Sequence, residues 1–110
     1  MSGAVPENVT GPFVVLAIFT AQPGKGDELA AKLSEIRAHA ESDKELDTLT
    51  FRPCRGYKGN TDSFMIFEKY MSREAFALHQ ASPVTAAFIK SGIATLDKLE
   101  YFEELSAMET

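Results

Sequence analysis

Three side chains able to handle protons lie close together in the stretch Asp62 to Pro83, DSFMIFEKYMSREAFALHQASP. Glu68 and Tyr70 are two apart in a run that alternates like a β-strand, so they share a face with Phe64 and Ile66. Ala75 and His79 are four apart in the helical run after Ser72 and share a helix face. A carboxylate, a phenol and an imidazole can therefore converge on one pocket. An imidazole titrates near neutrality and can take a proton from a phenol or an enolisable carbon. The carboxylate can orient that ring, and the phenol can donate to a substrate oxygen. Each residue also has a plainer reading: His79 as a packed ring bonded to a neighbouring strand or loop, Glu68 as a structural partner, Tyr70 as a core filler. From the residues alone, both readings stay open.

Phe19, Phe51, Phe64, Ile66 and Phe88 are candidates for the wall of a pocket that takes a flat ring system. Arg52 either pairs a phenolate there or sits on the surface. His39, near a helix end among Arg37, Glu41 and Asp43, is expected to face solvent. Cys54 and the methionines read as packing. Gly24-Lys25-Gly26 lacks the rest of a phosphate-binding loop and reads as a turn. No cluster with metal-ligand spacing is visible, so no metal site is expected.

The elements that would position these groups follow from periodicity. Phe13 to Ala21 is apolar on both faces, as a strand covered on both sides would be. Pro23-Gly24 ends it, and Asp27 is the expected cap of a helix to about Ala40, with Leu29, Leu33 and Ile36 inward. Glu41 to Asp47 is a polar, acidic link. Thr48 to Cys54 alternates, with Leu49 and Phe51 opposing Thr50 and Arg52, and Pro53 confines it to an edge or ends it. A turn-rich loop leads to the strand from Phe64 to Met71. Ser72 caps the next helix, Ser82-Pro83 ends it, and Pro83 starts another to about Ile93 with Val84, Ala87 and Phe88 inward. Leu99 to Leu105 reads as a closing strand. Residues 1–11 read as a loose arm, 12–106 as one domain and 107–110 as a tail.

The order β-α-β-β-α-β predicts an α+β, ferredoxin-like split-βαβ antiparallel sheet. Its own helices cover one face only, yet every strand carries apolar residues on both: Val14, Leu16 and Ile18 oppose Phe13, Val15 and Phe19, and Met65 and Phe67 oppose Phe64 and Ile66. An exposed apolar face of that size is a liability for a monomer, so a homodimer packed sheet against sheet is expected.

The whole chain has 110 residues, 45% hydrophobic and 25% charged, which suits one globular domain. A formal net charge of −5, with basic residues scattered, argues against nucleic acid or an anionic membrane as partner. One cysteine excludes an internal disulfide, and the first residues lack the basic and apolar regions of a signal peptide. No apolar run approaches the length of a membrane span. A reducing, cytoplasmic location is the expectation.

Pro23-Gly24 after strand one, Thr48-Leu49-Thr50-Phe51, the Phe67-Glu68-Lys69-Tyr70 strand, Ala75-x-x-x-His79 and Ser82-Pro83 occur in an order and spacing that resembles the antibiotic biosynthesis monooxygenase (ABM) domain. The resemblance covers most of residues 13–105 and implies a dimeric α/β barrel with a pocket between sheet and helices. It also implies oxygenation of quinols, anthrones or related polyketide phenols without metal, flavin or haem. Other members degrade haem, isomerise, or have no known activity. Lys44-Glu45-Leu46-Asp47 replaces the family's usual Glu-Pro-Gly, and Phe51 stands where Tyr is common. The haem-degrading branch expects a Trp at the Tyr70 position and an Asn on strand one, and this chain has neither.

The expectation is a small cofactor-independent monooxygenase acting on an aromatic polyketide, quinol or anthrone, with His79, Glu68 and Tyr70 as its polar groups. Two alternatives use the same residues: a non-oxidative isomerase or dehydratase, and a non-catalytic dimeric module that binds a small hydrophobic ligand. The last predicts a pocket filled by side chains.

Overall fold

The computed structural model of the chain describes residues 4–106. Its elements are β1 (Phe13–Ala21), α1 (Gly26–Ala40), a 3₁₀ turn at Asp43–Glu45, β2 (Thr48–Arg55), β3 (Ser63–Tyr70), α2 (Arg73–Ala81), α3 (Pro83–Ser91) and β4 (Ala94–Phe102). The strands form one antiparallel sheet in the order β2-β3-β1-β4. This is the expected ferredoxin-like α+β fold.

β1 and β3 are central, as their apolar run predicts, and pair in unbroken register from Phe13↔Tyr70 to Thr20↔Ser63. Phe13, Val15, Ala17 and Ala21 of β1, with Phe64, Ile66, Glu68 and Tyr70 of β3, face the helices and are buried. The core has two parts. The larger joins Leu29, Leu33 and Ile36 of α1 to Phe51, Phe64, Ile66 and Phe88. The smaller is aromatic and joins Phe13 and Tyr70 to Phe76 of α2.

Several boundaries differ from the sequence reading. Asp27 does not cap α1: the cap position is Lys25 without a side-chain bond, and exposed Asp27 pairs with Arg55 at 2.9 Å. β4 begins at Ala94 rather than Leu99, because Gly92, in the left-handed region at φ 69°, turns the chain at once into pairing with Ala21. In α3 the buried residues are Thr85 and Phe88, whereas Ala87 is exposed and Val84 half-buried. Residues 4–11 form no strand or helix, yet Val5 and Val9 pack on the aromatic cluster, and Arg73 donates to the carbonyls of Val5 and Pro6. Residues 1–3 of the expected arm and the expected tail, 107–110, lie outside the described residues.

The edge strand β2 runs on through Pro53, as an edge position allows, and carries its irregularity earlier. Thr48 pairs with Tyr70 and Thr50 with Lys69, leaving Leu49 as an extra residue in a bulge, 42% exposed rather than inward. Without the bulge, Thr48 and Phe51 would fall on opposite faces. With it, both face the helices, and that re-aiming matters at the site.

Candidate active site

Between the sheet and the helices lies a cavity of about 520 Å³, within the range of small-molecule sites. Ala17, Phe19, Ile66, Leu96 and Leu99 form its floor, and α1, α2 and α3 contribute Leu33, Ile36, Phe76, Phe88 and Ile89. Glu68, His79, Gln80 and Thr85 are its polar lining residues. The space is not filled by side chains.

Of the residues singled out from sequence, Glu68, His79, Phe19, Phe51, Ile66 and Phe88 line this cavity. Tyr70 is fully buried behind it, Phe64 belongs to the core beside the Arg55 guanidinium, and Arg52 is exposed on the opposite face of the sheet. That face is dictated by register, since Arg52 pairs with Phe67 while its neighbour Phe51 pairs with Glu68.

Glu68 and Tyr70 meet each other, with the phenol donating to Glu68 Oε1. Burial pushes the Glu68 carboxyl up to about 7, against the opposing effect of the Tyr70 hydrogen bond. The Tyr70 phenol is raised as well, first by burial and then by the neighbouring Glu68 charge. At neutral pH a large share of Glu68 therefore carries a proton.

His79 is buried at 3% exposure, its ring flanked by Phe51 and Tyr70 at centroid distances of 5.1 and 5.4 Å. Its carboxylate partner is not Glu68. Nδ1 donates to Oε1 of Glu45 at 2.6 Å, across 34 residues of sequence. The same Oε1 accepts from the Thr48 hydroxyl at 2.9 Å, which is where the Leu49 bulge directs Thr48. The other oxygen, Oε2, bonds Nδ1 of His39. His39 is thus not simply turned to solvent, as the sequence suggested, though its side chain remains 24% exposed.

The electrostatics of this unit follow from burial and pairing. Burial alone would raise the Glu45 carboxyl, but hydrogen bonds from His79, His39 and Thr48 together outweigh it and hold it below 4.5. Burial lowers the His79 imidazole below 6.5, and the opposing pull of Glu45 does not cancel that. Both directions describe one state at neutral pH: an ionised Glu45 and a neutral His79 with its proton on Nδ1. The lone pair is then on Nε2, the nitrogen left for a molecule in the cavity.

Glu45 is the residue of this site that sequence reasoning missed. The one available signal was Ser42-x-x-Glu45, a capping-box pattern announcing a helical turn inside an otherwise polar link. Ser42 does cap that 3₁₀ turn, accepting from the Lys44 amide, but the Glu45 carboxylate turns inward to the histidines.

A family model described as antibiotic biosynthesis monooxygenase matches residues 12–91. Comparison with curated proteins gave no match. Among solved structures, PA3566 from Pseudomonas aeruginosa is similar at 20% identity and TM-score 0.70, over 91% of this chain and 97% of that one. A candidate antibiotic biosynthesis monooxygenase from Deinococcus radiodurans is similar at 19% identity and TM-score 0.72, over 89% and 97%. One from Bacteroides thetaiotaomicron is 21% identical with TM-score 0.70, over 89% and 91%. At these identities the structural likeness speaks for the fold.

Proposed function

The chain belongs to the antibiotic biosynthesis monooxygenase family, and we propose that it oxygenates an electron-rich aromatic substrate such as a quinol, an anthrone or a related polyketide phenol. The observation that carries this reading is a neutral, carboxylate-oriented His79 and a Glu68 raised to about 7, both lining one apolar cavity. Environments that assign different proton states to neighbouring titratable groups mark the acid and the base of a site.

His79 Nε2 takes the proton from the acidic carbon or phenol, Glu45 steadies the imidazolium through Nδ1, and Glu68 donates to the substrate oxygen where charge develops. Tyr70 holds Glu68 in place. For an anthrone, the resulting anion supplies the electrons that reduce dioxygen. A new C–O bond gives a hydroperoxide, which loses its remaining C–H proton and hydroxide, as water, to leave a ketone. One CH₂ and one O₂ become one C=O and one H₂O. The protein contributes the base, the orientation and a dry apolar wall.

The decisive experiment is oxygen uptake with a panel of anthrones and hydroquinones. One O₂ consumed per anthrone, with the quinone appearing in the absorbance spectrum, is the expected result. No uptake with any of them, together with enzyme-dependent deuterium incorporation into an enolisable ketone, would move the assignment to a non-oxidative isomerase. That second reading draws on the same pair, since enolisation needs the same base and donor.

We also propose that the chain works as a homodimer. The sheet face away from the helices carries Val14, Leu16, Ile18, Met65, Phe67 and Phe102, with Met65 and Phe67 each 38% exposed and Phe102 45% exposed. A second copy laid on this face would bury it and complete a barrel of two sheets. Light scattering after size exclusion is expected to give twice the chain mass, and Phe67→Glu to give the monomer. A wild-type monomer at micromolar concentration would refute the dimer.

A further inference from the structure

Glu45 joins two imidazoles that differ in one respect. His79, in α2, is 3% exposed and lines the cavity, while His39, in α1, is 24% exposed by side chain. Each gives its Nδ1 to a different oxygen of the same carboxylate. We propose that His39 is a positioning residue that shares Glu45 with His79: by engaging the other oxygen of that carboxylate, it limits how strongly Glu45 can hold a second proton on the cavity imidazole. This deepens the reading of His79 as the cavity base and rests on it.

The physical argument is competition for one negative charge. A single carboxylate neutralises one imidazolium well, and a second cation on its other oxygen meets the first at close range. With a second ring on its other oxygen, Glu45 therefore stabilises an imidazolium at His79 less than it would alone.

The other groups near this unit do not replace that role. From β3, Tyr70 lies against the His79 ring with Glu68 hydrogen-bonded behind it, and both are protonated forms favoured by burial. From β2, Phe51 and Thr48 are uncharged. On α1, Arg37 and Glu41 are paired with each other at 3.2 Å on the exposed face. The repulsion from His39 is among the influences that lower the His79 imidazole.

The chain has two histidines, so His39→Gln leaves one imidazole signal to follow. The test is an NMR pH titration of the His79 ring carbon protons in the wild type, His39→Gln and His39→Arg, with thermal melts to verify folding. Removing the competing ring is expected to raise the His79 midpoint by about half a pH unit or more, and a permanent guanidinium to lower it. A merely structural His39 would not give opposite signs for the two variants. An unchanged midpoint in folded His39→Gln overturns the proposal; should His39→Gln not fold, a His39→Arg midpoint at or above the wild-type value overturns it. The titration needs no substrate, so it stands apart from the oxygen-uptake experiment. Where an anthrone is turned over, the acid limb of its pH profile should move up in His39→Gln by the same interval.

Discussion

Replacing Glu45 with alanine is expected to cost about 3 kcal/mol of unfolding free energy at pH 7. Three donors lose their acceptor at once: His79 Nδ1, the Thr48 hydroxyl and His39 Nδ1. A buried donor left unpaired costs about 1–3 kcal/mol, and breaking a buried charged pair about 3–5. His39 recovers part of its loss from water, being partly exposed, whereas His79 cannot. For a domain of this size the loss corresponds to a melting temperature roughly 10–15 °C lower. The effect also has a defined pH dependence. The folded Glu45 carboxyl is held below 4.5, so the unfolded chain takes up a proton there first as the pH falls. Its contribution is therefore complete above that value and disappears as pH falls through the folded-state midpoint. Urea unfolding at pH 7 and at successively lower pH checks both parts: the gap between wild type and Glu45→Ala should be wide at pH 7 and shrink as the pH falls through the folded-state midpoint. A gap below about 1 kcal/mol at pH 7 would mean that the pairing with His79 contributes little.

The ease with which the sheet was read from sequence, and the difficulty of reading Glu45, have the same physical origin. Apolar periodicity reports local geometry, and β1, α1, β3 and α2 each carry it over two or more turns or pleats. The alternation that puts Phe64, Ile66, Glu68 and Tyr70 on one face needs no knowledge of what covers that face. The link after α1 carries no such signal. There the hydropathy pattern is inverted: Glu45 is 3% exposed and Leu46 77% exposed. That inversion is stable only because donors from α1, β2 and α2 converge on the carboxylate, and sequence spacing cannot show convergence across 34 residues. The Leu49 bulge was hidden for a related reason. A bulge changes which residues share a face without changing their order, so Leu49 and Phe51 look equivalent until the pairing with β3 is known. The partner assigned to His79 failed on this point alone. Glu68 was chosen because it shares a strand face with Tyr70, whereas the carboxylate that bonds the ring is Glu45.

His79→Gln is expected to lower kcat by about 10²–10⁴ on whichever aromatic substrate is turned over, with the melting temperature moved by only a few degrees. The amide of glutamine can still donate to Glu45, so the buried carboxylate keeps a partner and the fold is spared the penalty described for Glu45→Ala. What is lost is the lone pair at Nε2, and a positioned general base contributes about that factor. The pH dependence of the wild type provides the sign. His79 must be neutral to accept a proton, and burial holds its midpoint below 6.5, so activity should rise with pH on the acid side of that value. Glu68 must be protonated to donate, and burial raises it to about 7, so activity should fall as pH passes that point. The two limbs bound a bell with its maximum on the slightly acidic side of neutrality. In His79→Gln the acid limb should vanish while the alkaline limb stays, and Glu68→Gln should do the converse. Full activity in a folded His79→Gln would remove the imidazole from the chemistry and leave the cavity as a binding site.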